Sequence, residues 1–150
     1  MSASAGKGKV MILEMDKITK KLNKFTLGEI SFSLPRGYLC GLVGQNGAGK
    51  TTLLNLIMGL YQPEEGMLSV FGKRYKDEEK EIHDRIGYVL TEELFLPAAT
   101  LTENAERYGR FYSRYDNGKM QNYLERFDLA NDQKFGRISR GEKLKFQLAF

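Results

Sequence analysis

The sequence predicts an α/β fold, and three observations carry the prediction. A short apolar run at 38–43 leads into a glycine-rich loop, and that loop opens into an apolar segment at 50–61. Alternating or clustered apolar stretches lie on both sides of this unit. From Thr100 onward the apolar spacing becomes helical. Strand, glycine loop and helix in succession is the local grammar of a sheet layered with helices.

The elements are justified in chain order. Residues 1–9 are small and polar, with no apolar stretch for a signal peptide, and read as a disordered leader. Structure starts at Val10 or Met11. Residues 10–15 and 30–34 read as strands, and Pro35-Arg36-Gly37 as a turn. Tyr38-Leu39-Cys40-Gly41-Leu42-Val43 reads as a buried strand. In 50–61, Leu53, Leu54, Ile57, Met58 and Leu60 leave little polar circumference, the pattern of a buried helix. Gln62-Pro63-Glu64-Glu65-Gly66 ends that helix and turns the chain. Residues 67–71 read as another strand, closed by Gly72. The charged stretch 73–85 carries Ile82 and Ile86 at helical spacing, and Gly87-Tyr88-Val89-Leu90 is a second candidate buried strand.

In the C-terminal part, Thr100 with Glu103 has the spacing of a capping box. Met120, Tyr123, Leu124 and Phe127 lie at i, i+3, i+4 and i+7, an amphipathic helix. Ser139 with Glu142 is a second capping box, ahead of Leu144, Phe146, Leu148 and Ala149. The sequence stops at Phe150, inside this last helical pattern, so a partial domain is expected.

Composition narrows the class without naming a partner. The 150 residues are 41% hydrophobic and 28% charged, ordinary for a globular chain and enough for one core. The net charge of +4 and pI of about 9.1 suit any anion. Lys17, Lys20, Lys21 and Lys24 form a loose basic cluster that reads as a solvated face. Cys40 is the only cysteine, which excludes an intramolecular disulfide or a cysteine metal cluster and fits a reducing compartment. No apolar stretch approaches the roughly 18 residues that a membrane span needs.

The chemistry concentrates in Gly44-Gln45-Asn46-Gly47-Ala48-Gly49-Lys50-Thr51, a full match to G-x-x-x-x-G-K-[ST]. By composition a chance match in a chain of this length is on the order of 1 in 200. The residue types suit a polyphosphate such as ATP. Successive main-chain amides in a curled loop make an anion nest, and a helix N-terminus adds unpaired N–H groups and positive potential. Gly44, Gly47 and Gly49 allow backbone angles and close phosphate approach that a side chain would block. Lys50 places an ammonium between the β- and γ-phosphates, Thr51 offers its hydroxyl to Mg²⁺, and Thr52 reaches the α-phosphate side.

Other residues select among the folds that carry this loop. Ile30-Ser31-Phe32-Ser33-Leu34-Pro35-Arg36-Gly37, then Gly41-Leu42-Val43-Gly44-Gln45-Asn46-Gly47-Ala48-Gly49-Lys50-Thr51-Thr52-Leu53, resembles the loop region of ABC transporter nucleotide-binding domains. Pro63-Glu64-Glu65-Gly66 and Phe71-Gly72-Lys73 are similar to the segments next along that domain. Ile138-Ser139-Arg140-Gly141-Glu142 resembles the family signature, which opens a helix. The resemblance covers nearly all of residues 11–150, the first part of the family's domain.

The resemblance implies a P-loop NTPase fold of the ABC type, incomplete here: a parallel core sheet carrying the loop, an antiparallel β portion and a helical subdomain at about 93–138. It implies that Ser139, Arg140, Gly141 and Glu142 face the γ-phosphate of ATP held by a second nucleotide-binding domain, so that ATP bridges a dimer. The alternative for this tetrad is a helix cap alone. The family stacks an aromatic on adenine ahead of the loop; Leu22 and Phe25 fall nearest, and Phe25 is the aromatic one, with packing as its other role. The family's metal- and water-contacting glutamine is replaced by Thr91, followed by Glu92 and Glu93, so Thr91 or Glu92 is the candidate catalytic substitute beside Lys50.

An apolar run ending in Asp-Glu after Ser139 is absent from the sequence. His83, the sole histidine, precedes the signature and reads as a surface helix position. The expected function is the ATP-binding subunit of an ABC transporter, an ATPase at full length. It would sit peripherally on the cytoplasmic face of the membrane and dock on separate transmembrane subunits, with no nucleic acid partner. These 150 residues would bind ATP better than they hydrolyse it. Tyr108, Phe111, Tyr112 and Tyr115 fall in the helical subdomain, with packing as the default and docking as the alternative. The rival readings are a soluble ABC-type ATPase acting on nucleic acid or ribosomes, a P-loop kinase or GTPase, and a non-catalytic nucleotide-binding module.

Overall fold

The computed structural model describes residues 10–89 and 94–150. The leader at 1–9, and Thr91 and Glu92, lie outside the described residues. The chain forms two compact units, the first running to His83 and the second from Asp84 to Phe150.

The first unit is built on a three-stranded antiparallel sheet. Strand β1 (Met11–Leu22) lies between β2 (Phe25–Pro35) and β3 (Glu65–Val70). The first two strands are longer than the expected 10–15 and 30–34, because a tight hairpin joins them: Leu22 pairs with Phe25 at one end and Met11 with Pro35 at the other. One face of the ladder is apolar, with Leu13, Met15, Ile18, Leu27, Leu68 and Val70 buried. A register shift between Met15 and Ile18 keeps both on that face although they are an odd number of positions apart, three. Gly66 enters β3 at φ +88°, and a Cβ there would lie 2.4 Å from the carbonyl oxygens of Asp16 and Lys17, so only glycine fits.

Helix α1 (Lys50–Ile57) ends earlier than the expected 61. It buries one face through Thr52, Leu53 and Leu56, while Leu54, Leu60 and Tyr61 remain exposed. The expectation of a buried helix, apolar around most of its circumference, is therefore corrected to burial on one face. Helix α2 (Tyr75–His83) buries Ile82, is kinked at Glu78, and ends before Ile86. Two of its side chains fasten the end of α1: the Tyr75 hydroxyl donates to the Ile57 carbonyl at 2.6 Å, and His83 Nε2 lies 3.0 Å from the Met58 carbonyl. Last-turn carbonyls lack intrahelical donors, so these two side chains supply a cap from 18 and 25 residues away. His83, expected at a surface helix position, is instead part-buried beside the Tyr75 ring at 5.4 Å.

The two candidate strands of the parallel core are not in a ladder. Residues 38–43 belong to no strand, with Leu39 fully exposed and Val43 95% exposed. Residues 87–89 likewise belong to none, and Leu90 lies outside the described residues. A strand exists only through hydrogen bonds to a neighbour, and the sheet among the described residues, in the order β2-β1-β3, includes neither run.

The second unit is helical: α3 (Leu101–Gly109), α4 (Asn117–Arg126), a 3₁₀ turn (Phe135–Arg137) and α5 (Arg140–Ala149). Both expected capping boxes form, at Thr100 with Glu103 and at Ser139 with Glu142. Leu101, Ala105, Met120, Leu124, Leu129, Phe135, Ile138, Phe146 and Ala149 make its core. Of the amphipathic set, Met120 and Leu124 are buried, Tyr123 faces out, and Phe127 packs at the core's edge. Asn104 is a buried polar residue that the pattern does not announce. Its amide accepts from Leu96 N and reaches the carbonyls of Leu96, Ala99 and Thr100. Tyr108 donates to the Leu94 carbonyl at 2.9 Å, and Tyr112 and Tyr115 pack on the Phe150 ring, while Phe111 is exposed.

Candidate functional site

The glycine loop runs from the end of the extended segment into α1. Its shape comes from two left-handed residues, Gly47 at φ +84° and Gly49 at φ +91°. Ala48 N donates to the Gln45 carbonyl at 3.2 Å, which tightens the curl. Gly49 is the N-cap of α1 and brings no side chain to it. The first main-chain bond of the helix is Leu53 N to Gly49 O, so the amides of Lys50, Thr51 and Thr52 have no intrahelical acceptor. They sit at the positive end of the helix dipole, and no acidic side chain occupies the first turn.

Lys50 closes the loop across its mouth. Its Nζ donates to the carbonyls of Gly44 and Gln45, each at 2.7 Å. The ammonium therefore fixes the distance between the start of the loop and the start of the helix. Gln45, Asn46, Gly47, Ala48 and Thr51 are exposed, and Thr52 is buried. The donor set is main-chain amides, one ammonium and one hydroxyl, with Thr51 in the first helical turn. That chemistry fits a polyphosphate with its magnesium ion. Phe25 lies against this loop rather than apart from it: a Cβ placed on Gly49 would meet Phe25 Cζ at 2.7 Å and Leu27 Cδ1 at 2.8 Å.

The second candidate site, at the start of α5, is a formed cap. Ser139 Oγ accepts from Glu142 N at 3.3 Å, and Ser139 N donates to Glu142 Oε2 at 2.7 Å. These bonds to Ser139, side chain first, hold the Glu142 carboxyl below its ordinary range. Ser139, Arg140 and Gly141 are exposed. The cap that the sequence predicts is present. Sequence reasoning missed the Asp116 cap of α4, which accepts from Lys119 N at 2.9 Å, and the Tyr75 and His83 cap of α1. An Asp one residue before a helical run was a legible signal for the first; the second depends on a tertiary contact.

Among the described residues, no helix is long and apolar enough to cross a membrane. A lysine-closed glycine loop at the mouth of a helix, in a unit built on an antiparallel sheet, defines the class of P-loop nucleotide-binding proteins. Comparison with known proteins narrows it. The ABC transporter family profile matches residues 27–150. The Nod factor export ATP-binding protein I of Burkholderia lata is 32% identical over 132 residues, 85% of this chain and 43% of that protein. The ABC transporter ATP-binding protein NatA of Bacillus subtilis is 30% identical over 127 residues, 81% of this chain and 52% of that protein. Among solved structures, an ATP-binding subunit of an ABC transporter superposes with a TM-score of 0.81 at 24% identity, over 92% of this chain and 60% of that one. The chain belongs to the ABC transporter family. It spans about half the length of the curated relatives it matches.

Proposed function

We propose that the chain is the phosphate-gripping part of an ABC transporter's ATP-binding subunit, whose complete form couples ATP binding and hydrolysis to movement of a substrate across a membrane. One observation carries this reading: the Gly44–Thr51 loop is curled by two left-handed glycines and closed by Lys50 at the N-terminus of α1. Polyphosphate oxygens accept from the amides of residues 47–52, and Lys50 exchanges its carbonyl partners for phosphate oxygens. The loop is therefore partly built before the ligand arrives, which lowers the ordering cost of binding. Thr51 holds the magnesium ion through its hydroxyl; the ion neutralises phosphate charge and keeps several waters. Thr52 supports the α-phosphate side through its main chain, since its side chain is buried.

The tetrad Ser139, Arg140, Gly141 and Glu142 offers an exposed helix N-terminus to the γ-phosphate bound by a second nucleotide-binding domain. Glu142 does so with its carboxylate already held by Ser139, which limits repulsion. Thr91 or Glu92 takes the role of the family's metal- and water-contacting glutamine in this reading. The chain docks from the cytoplasmic side on separate transmembrane subunits, and they select the cargo. These 150 residues bind ATP but turn it over slowly, because no apolar run ending in Asp-Glu comes after Ser139 in them to position metal and water.

The test is calorimetric titration of Mg-ATP into the chain and its Lys50→Ala variant. Loss of a charge-assisted contact of about 1.5–3 kcal/mol weakens binding roughly ten- to a hundredfold. Equal affinity in the two proteins refutes the assignment.

A further inference from the structure

We propose that Phe25 is a positioning residue for the phosphate loop: its ring tip buttresses Gly49, the left-handed hinge from which α1 presents its amides. The inference rests on the nucleotide-binding reading above and adds a residue outside the loop to its machinery.

The contact is specific to one glycine. A Cβ on Gly49 would meet Phe25 Cζ at 2.7 Å, Leu27 Cδ1 at 2.8 Å and Phe25 Cε1 at 3.1 Å. At Gly47 nothing lies within 4 Å of such an atom, and at Gly44 only Ala48 Cβ does, at 3.4 Å. Of the loop glycines, then, Gly49 is the one the sheet touches. The buttress is itself anchored. Phe25 opens β2 and pairs with Leu22 across the hairpin, and Leu27 pairs with Lys20 and is buried.

The opposite side of the loop is held by Lys50, bonded to the carbonyls of Gly44 and Gln45. Gly49 has no side-chain cap and a φ of +91°, so its own chemistry leaves the hinge free to relax. The ring tip and the Leu27 methyl block that relaxation on the sheet side. Such a buttress acts on the polyphosphate cradle and is indifferent to the base.

This gives a test that a base-stacking ring fails. The chain and its Phe25→Ala and Phe25→Leu variants are titrated with Mg-ATP, Mg-GTP and magnesium tripolyphosphate. Circular dichroism confirms the fold of each. If removing the ring lowers the competent loop population to about a tenth, apparent affinity falls about tenfold. In Phe25→Ala the fall is the same for all three ligands. Phe25→Leu keeps apolar bulk against Gly49, so its loss is smaller and again equal across the three. A loss confined to the two nucleotides, with tripolyphosphate unchanged, makes Phe25 a base platform and overturns the proposal. No loss with any ligand also overturns it. A wild-type chain that binds none of the three sinks the nucleotide reading itself, an outcome separate from either.

Discussion

Asn104→Leu removes a buried side-chain amide of the helical unit at nearly constant volume, and its effect can be worked from the contacts. Oδ1 accepts from Leu96 N at 2.8 Å. Nδ2 has three carbonyls in reach, those of Leu96 at 3.0 Å, Thr100 at 3.0 Å and Ala99 at 3.4 Å, but only two hydrogens. Three good bonds are therefore lost, at about 1 kcal/mol each, or about 3 kcal/mol in total. Little cavity term adds to this, because leucine nearly matches the volume. Urea unfolding monitored by far-UV circular dichroism measures the loss as a shift in midpoint at unchanged slope. Asn104→Asp should lose more at neutral pH, since a carboxylate would face carbonyl oxygens, and should recover part of that loss on acidification. A change below about 0.5 kcal/mol in Asn104→Leu, the range of an ordinary surface substitution, would refute the reasoning.

Two further predictions concern protonation. Burial first, and then Glu79, pushes the Tyr75 phenol up to about 12. The folded state favours the neutral phenol, so its contribution is intact below pH 10 and is lost as pH rises toward 12. Alkaline unfolding curves should show this loss in the wild type and lack it in Tyr75→Phe, which at neutral pH gives up about 1 kcal/mol with the Ile57 bond. Glu142 has the opposite sign. Its carboxyl is held below the ordinary value, so its contribution is present above about pH 4.5 and fades as pH falls through the folded value. The stability difference between wild type and Ser139→Ala should narrow over that acid window, and a difference independent of pH would contradict the capping-box origin.

The sequence was most informative where structure is local. The phosphate loop, its glycines and Lys50 lie within eight consecutive residues, and their conformation is set by backbone sterics and a helix start. The boxes at Thr100 and Ser139 were legible for the same reason, each joining residues three apart. Residues 38–43 have the composition of a buried strand, yet Leu39 and Val43 are exposed. Composition states what a segment can bury, whereas pairing requires a neighbour distant in sequence. His83 misled in the same way: its spacing gave a helix, but its partner is the Met58 carbonyl 25 residues earlier. Asn104 was passed over because an asparagine in a helix usually faces solvent, and only the 94–100 segment folding back over α3 gives it partners. Phe25 was singled out for its aromatic ring, and its contact with Gly49 became visible only when the hairpin placed it there.

The most direct measurement is an amide NMR titration of the chain with Mg-ATP. The account predicts that the largest shifts fall on Gly47, Gly49, Lys50, Thr51 and Thr52, saturate together with calorimetric binding, and shrink in Lys50→Ala. Shifts that cluster elsewhere, or loop amides that stay put at saturating nucleotide, would contradict it.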